Sequence, residues 1–81
     1  MREFQDAQGA TWVASVMERP GEDYKGRYWF VMFPKGGDPG EDLVELKDVR
    51  WNSRKTAERT LHTMSEKELV RRHRWAVGRH S

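Results

Sequence analysis

Cysteine is absent from this 81-residue sequence, and its absence excludes several kinds of structure. Disulfide bonds cannot form, so nothing supports a secreted scaffold held together by such bonds. A thiolate metal site and a cysteine nucleophile are excluded as well. The chain must therefore obtain its stability from a hydrophobic core or from association with a partner.

Long apolar segments are also missing. The first ten residues, MREFQDAQGA, are polar and lack the apolar stretch of a signal peptide. The longest run of apolar and aromatic residues, YWFVMF at 28–33, is far shorter than the about 20 residues that span a bilayer. We therefore expect a soluble, intracellular protein of the cytoplasm.

The length of the chain predicts one domain spanning residues 1–81, because so short a chain cannot enclose two hydrophobic cores. Charged residues make up 35% of the sequence, a share that disordered chains often reach. Four tryptophans, three phenylalanines and two tyrosines argue against disorder, because their rings can bury large apolar areas. We therefore expect a folded domain.

Strand patterns occupy the first half of the sequence. The candidate strands are REF, ATWVASVME, RYWFVMF and LVELKDVRW. Asp6 and Gly9 occupy the favoured ends of a type I turn between the first two strands. RYWFVMF is apolar on both faces, which suits a central strand that is covered on both sides. These patterns predict a three- or four-stranded antiparallel β-meander over about residues 2–51.

Helical periodicity begins after this sheet. Asn52 or Ser53 can cap a helix whose apolar residues Ala57, Leu61 and Met64 are spaced i, i+4, i+7. The sequence therefore predicts a first helix in the segment RKTAERTLHTM.

A second helix is predicted from its own start and stop signals. Ser65 and Glu68 match a capping box, and Gly78 is a natural residue to follow the last turn, at about Val77. We therefore predict an α+β fold, with two C-terminal helices over about residues 53–77 packed on one face of the sheet. Residues 78–81 are expected to form a flexible tail.

Charge is divided unevenly along the chain. Residues 1–49 contain six Lys or Arg and ten Asp or Glu, a net charge of −4, and residues 50–81 contain nine and three, a net charge of +6. All three histidines also lie in the second segment. This asymmetry indicates a partner of opposite charge for the basic segment.

Trp75 lies within the basic segment, in the sequence RRHRWA. On a helical projection it falls nearly opposite the apolar stripe, which comprises Leu69, Val70, His73, Ala76 and Val77. Arg71 precedes Trp75 by one turn, so its guanidinium can lie on the indole. The pattern predicts a basic and aromatic contact surface. The alternative is a solvated basic face with Trp75 packed against the sheet edge.

The residues predicted to bind a partner are Arg54, Lys55, Arg59, Arg71, Arg72, Arg74, Trp75 and Arg79. Arginines can contact phosphates while an indole stacks on a base, so the first hypothesis is a small binding module for a polyanion, nucleic acid in particular. The alternative is a protein–protein adaptor or regulatory subunit that engages an acidic protein surface.

Self-association is a further expectation. Two short helices can cover only one face of a sheet, so the other face would expose some of its rings, among Trp12, Tyr28, Trp29 and Phe33. Monomeric proteins rarely expose large apolar patches, so we expect this face to meet a partner chain or a curled sheet edge.

Catalytic and metal-binding patterns are weak. Ser53 and Ser65 are better explained as helix caps than as nucleophiles, and the histidines lack the i, i+4 spacing of a helical metal site. On its apolar stripe, His73 is expected to be semi-buried and hydrogen-bonded. A thin sheet with two helices should leave little room for a cleft. We therefore predict no enzyme and no cofactor, with acid–base catalysis by His73 and a carboxylate as a remote third hypothesis.

The segment PKGGDPGED (34–42) suggests a phosphate or calcium loop. It lacks the G-K-[ST] ending of a P-loop and the spacing of an EF-hand. We expect a solvated acidic loop carrying Asp38, Glu41 and Asp42.

Overall fold

The computed structural model describes residues 1–18, 26–37 and 43–80, with only the backbone of residues 79 and 80. It contains one four-stranded antiparallel sheet, in the order β1-β2-β3-β4, followed by two helices. The elements are β1 (Arg2–Gln5), β2 (Thr11–Glu18), β3 (Tyr28–Pro34), β4 (Val44–Trp51), α1 (Arg54–Thr63) and α2 (Glu66–His80). The predicted α+β layout is confirmed. The predicted acidic residues Asp38, Glu41 and Asp42 lie outside the described residues.

The strands follow one another as a meander, with β2 and β3 in the centre of the sheet. The turn between β1 and β2 is closed by the Gly9 backbone N–H, which donates to the Asp6 carbonyl oxygen at 3.0 Å. Gly9 has a φ of 85°, in the left-handed region that favours glycine. The predicted central position of RYWFVMF is confirmed by β3.

Both helices pack on one face of the sheet, and the side chains between them form the hydrophobic core. Alternate residues of the strands point to this face because side chains in a strand alternate between its two sides. The buried residues of the core are Phe4, Ala14, Phe30, Met32, Leu46, Ala57, Leu61, Leu69 and Ala76. The predicted apolar stripes of the helices supply their part of it, with Ala57 and Leu61 from α1 and Leu69 and Ala76 from α2.

The opposite face of the sheet buries Trp29 without help from a helix. Its side chain is 0% exposed, with Lys47 Nζ 5.2 Å and the Arg50 guanidinium 5.5 Å from the ring centroid. The Trp29 indole N–H donates to Glu45 Oε2 at 3.1 Å. Long charged side chains can cover apolar surface with their aliphatic stems while their heads stay hydrated.

This arrangement corrects the expectation of exposed rings on the sheet. Trp29 is covered within one chain, and Trp12 and Tyr28 pack against the core on the helix side instead. Phe33 is partly buried. The premise of the predicted self-association through this face is therefore wrong.

Side chains bind the free backbone groups at both ends of helix α1. Its cap residue Ser53 does so at the start, and Arg2 of β1 does so at the end. The predicted cap Ser53 is confirmed, because its Oγ accepts a hydrogen bond from the Thr56 backbone N–H at 3.4 Å. At the other end Arg2 Nη1 donates to the carbonyl oxygens of Leu61, His62 and Met64, at 3.1, 3.0 and 2.7 Å. Carbonyls in a last helical turn lack helical partners, so Arg2 ties α1 to the edge strand β1.

Helix α2 begins as predicted and ends later. Ser65 Oγ accepts from the Glu68 backbone N–H at 3.1 Å, which is one half of the predicted capping box. The helix then continues through Gly78 to His80, so the predicted end at about Val77 is wrong, and residues 78–80 of the predicted tail belong to the helix. Gly78 has no positive φ, and a glycine without that conformation can continue a helix.

Candidate binding surfaces of the C-terminal helix

Helix α2 lies on the sheet through Leu69, His73 and Ala76 and leaves a flank on each side of this buried stripe. One flank, here called the Trp75 flank, brings Arg72 and Trp75 against Asp48, Val49 and Trp51 of β4. The other flank forms a larger depression, here called the His73 groove. Its lining residues are Asp6, Ala7, Gln8, Trp12, Pro34, Val44, Val70, His73, Arg74, Val77 and Gly78.

The Trp75 flank exposes apolar side chains beside an edge strand. Trp75 is 51% exposed and Val49 of β4 is 47% exposed. Both line a small cleft of about 40 Å³. Trp75 therefore lies outside the core, as its helical position predicted. It also borders the sheet edge, as the alternative prediction of a ring packed against that edge proposed. The result is a half-exposed indole with a second apolar side chain next to it.

Glu68 organises the arginines that precede Trp75. Its carboxylate pairs with the Arg71 guanidinium and accepts from Arg72 Nε at 3.0 Å. Hydrogen bonds from Arg71 and then Arg72 hold the pKa of the Glu68 carboxyl below its usual value. The predicted stacking of Arg71 on the Trp75 indole is not what the structure shows, because the ion pair with Glu68 directs the Arg71 guanidinium back toward the start of the helix.

The remaining predicted cations do not form one patch with Trp75. Arg54 pairs with Glu58 at 3.4 Å, one turn further along α1. Arg59 lines a separate cleft of about 350 Å³ near the end of α1. Lys55 is exposed on α1, and Arg74 is exposed at the rim of the His73 groove. The side chain of Arg79 lies outside the described residues. Of the seven predicted residues whose side chains are described, only Arg72 and Trp75 line the cleft on the β4 side.

The His73 groove has a volume of about 820 Å³, so the expectation that this fold leaves little room for a cleft is wrong. The groove forms where α2 crosses the end of the sheet that holds the β1–β2 turn. Its walls are largely apolar because Trp12, Pro34, Val44, Val70 and Val77 supply most of its larger side chains. Val77 was predicted to belong to the core but is 39% exposed, because it faces this open space.

His73 is the buried polar residue of the groove wall. It is 7% exposed, and its ring centroid lies 4.1 Å from Trp12 and 5.8 Å from Phe4. Burial lowers the pKa of its imidazole, and the nearby Asp6 carboxylate opposes this effect only in part. The predicted burial of His73 is confirmed. The predicted hydrogen bond is missing at Nε2, which has no partner among the described residues.

Asp6 fixes the orientation of Trp12. Its Oδ1 accepts from the backbone N–H groups of Gln8 and Ala10, each at 2.9 Å, and its Oδ2 accepts from the Trp12 indole N–H at 2.9 Å. Partial desolvation raises the pKa of Asp6, but these three hydrogen bonds together outweigh it and hold the pKa below its usual value. The sequence predicts Asp6 as a turn residue but not as the residue that holds Trp12, because an aspartate shortly before a tryptophan is the one local sign of this contact.

The described part of the chain offers no group of side chains for a metal ion and no helix for a membrane. There, no three His, Asp or Glu side chains come together in a way that could hold a metal ion. No helix formed by the described residues combines the length and apolar character needed to cross a membrane. Comparisons with protein-family models, curated proteins and solved structures find no match for this chain. The case for function therefore depends on the two flanks of α2.

Proposed function

We propose that this protein is a small, non-enzymatic binding module that docks on an acidic protein surface through the Trp75 flank. The observation that carries the proposal is the half-exposed Trp75 next to the exposed Val49, at the edge of the sheet. A large aromatic side chain beside an apolar neighbour, with arginine close by, is the composition of a protein-binding hot spot.

The charges near this centre have a small positive excess, which favours an acidic partner. Among the described residues, four cations lie near three carboxylates: Arg54, Lys55, Arg71 and Arg72 near Asp48, Glu58 and Glu68. Arg72 lines the same cleft as Trp75, and Arg71 is exposed on the adjoining turn of α2. Arg54 and Lys55 begin α1 shortly after Trp51, which also lines the cleft. Charges around an apolar centre steer a partner and speed its association, whereas the desolvated aromatic side chain supplies most of the binding energy.

The pairing of arginines with Glu68 favours a protein over a nucleic acid. Arg71 and Arg72 already share this carboxylate, and Arg54 is paired with Glu58. A phosphate would have to compete with these carboxylates for each guanidinium. A protein surface that buries Trp75 can instead leave the ion pairs in place at its rim.

Nucleic acid is the second candidate, because some cations of the basic segment remain available. Lys55, Arg59 and Arg74 are exposed and form no ion pair within the described part of the chain. A single strand contacting these cations could also stack a base on Trp75. The two candidates differ in how binding depends on salt and on the indole.

Co-purification of the tagged chain, with and without nuclease treatment, separates the two candidates. We expect the partner to persist after nuclease treatment and to be lost with Trp75→Ala, at a cost of at least about 2 kcal/mol in binding free energy. His62→Ala removes an exposed ring from the other helix and is the matched control, which should retain the partner.

Titration against short single- and double-stranded DNA and RNA at two salt concentrations completes the test. Nucleic-acid binding through four to six phosphate contacts would give a log–log salt slope of roughly −3 to −5. Tight binding with that slope, together with loss of the co-purified partner on nuclease treatment, would overturn the protein-docking proposal in favour of the second candidate.

A further inference from the structure

We propose that the His73 groove is a binding site for a small ligand that combines a flat apolar body with a carboxylate. The groove lies on the flank of α2 that does not carry Trp75, so this inference does not depend on the proposed docking surface.

The size and lining of the groove suit a small molecule. Its volume of about 820 Å³ falls within the range of about 300–1,000 Å³ that is typical of ligand sites. Apolar side chains with a few placed polar groups are the usual lining of such sites. Here Trp12, Val44, Val70 and Val77 provide apolar walls from three separate elements of the fold.

Trp12 offers a platform that is already held in place. Its indole N–H is bonded to Asp6, and its ring lies against the His73 ring at 4.1 Å. Trp12 nevertheless stays only partly buried and lines the groove. An aromatic ring fixed before binding loses little conformational entropy when a flat ligand packs on it, which favours affinity.

The hydrogen-bonding capacity of the groove, rather than its net charge, points to a carboxylate ligand. Asp6 stays ionised and offsets the charge of Arg74, but its oxygens already accept three hydrogen bonds and have little capacity left for a ligand. Arg74 is exposed at the rim and makes no ion pair within the described residues. An arginine fork matches the two oxygens of a carboxylate and can bind them together.

Two residues of the groove wall, His73 and Gly78, are unfavourable for the stability of the fold. His73 Nε2 is buried without a partner among the described residues, and such a group normally destabilises a fold. Gly78 lies inside a helix, where glycine is unfavourable, yet an added Cβ would meet nothing within 4 Å. A buried polar atom without a partner calls for an explanation beyond stability, and the open space at Gly78 leaves room for a ligand in the same groove.

An NMR titration with 2-naphthoate tests this inference. The resonance of the Trp12 indole N–H should shift on binding, together with the amides of Val44, Val70 and Val77. The neutral 2-naphthamide has the same apolar body without the charge, and we expect it to bind at least about fivefold more weakly. Equal affinity for the two compounds would contradict the assignment of a carboxylate ligand.

Substitutions separate the charged and apolar parts of the site. Arg74→Gln should weaken 2-naphthoate to about the affinity of 2-naphthamide. Lys67→Gln removes the same charge from an exposed position of α2 outside the groove and should leave the affinity unchanged. Val77→Glu changes an exposed wall residue and should abolish binding while the spectrum of the folded protein is kept.

The outcome is independent of the docking proposal because the probe and its reporters lie on the other flank. No shift of the Trp12 indole resonance at millimolar 2-naphthoate, or shifts that Val77→Glu leaves intact, would overturn the inference. Neither result would change the expected effect of Trp75→Ala on the co-purified partner.

Discussion

Each flank of α2 has a tryptophan, and the two are held in different ways. Trp75 is carried by the helix itself, and the nearby Arg71 and Arg72 are organised by Glu68 within the same helix. Trp12 comes from β2 and is held by Asp6 of the β1–β2 turn and by the ring of His73. The arginines beside Trp75 are therefore organised within one helix, although β4 completes that surface with Val49, whereas Trp12 is held by residues that only the fold brings together. This difference predicts that substitutions in the Trp75 flank change the stability of the fold little, whereas substitutions in the His73 groove lower it more.

The largest expected effect is on stability, in a comparison of the two tryptophans. Trp12→Ala removes a ring that packs on His73 and the core, and we expect it to lower the free energy of unfolding by about 2–4 kcal/mol. Trp75→Ala removes a half-exposed ring and should cost less than about 1 kcal/mol. Urea denaturation of both variants measures the difference. Equal losses would show that Trp75 belongs to the core.

A smaller effect concerns pH. Because burial lowers the pKa of His73 below its ordinary value of 6.5, the unfolded chain binds a proton more readily than the folded chain. Stability should therefore be complete above about pH 6.5 and decrease as the pH falls from there toward the lower folded-state pKa. His73→Leu should remove this part of the pH dependence. Denaturation midpoints of both chains between pH 7.5 and 5 provide the measurement, and identical profiles would contradict the assignment.

The smallest expected effect lies at the open end of the groove. Gly78→Ala adds a Cβ where nothing lies within 4 Å, and alanine favours a helix more than glycine does. We expect the variant to gain up to about 1 kcal/mol, less if the end of the helix frays. Thermal unfolding of Gly78→Ala and of the unsubstituted protein under the same conditions can detect this gain in stability. A loss of stability would mean that Gly78 has a conformational role that its helical geometry does not show.

Local patterns in the sequence were enough to predict the architecture. Alternation predicted the strands, and the doubly apolar RYWFVMF predicted the central position of β3. Ser53 and Ser65 marked the starts of both helices, because caps act on backbone groups only three residues away. The exposure of Trp75 also followed from its helical phase alone.

Features that depend on contacts between distant residues could not be predicted in this way. The groove exists because Trp12 and His73 meet across the fold, and no periodicity reports such a meeting. Lys47 and Arg50 lie over the Trp29 ring, and no local pattern predicts that these two charged side chains reach it. The pairing of Arg71 with Glu68 could have been anticipated, since the two are helix neighbours, but the indole at the next turn offered an equally close alternative.

The central claim is that α2 carries two separate binding surfaces, and one NMR experiment tests it most directly. The labelled chain is titrated first with the co-purified protein partner and then with 2-naphthoate, and the shifted amide and indole resonances are mapped on the fold. The account predicts that the partner shifts Val49, Arg72 and Trp75, whereas 2-naphthoate shifts Trp12, Val70 and Val77. Shifts from both ligands on the same residues would contradict it.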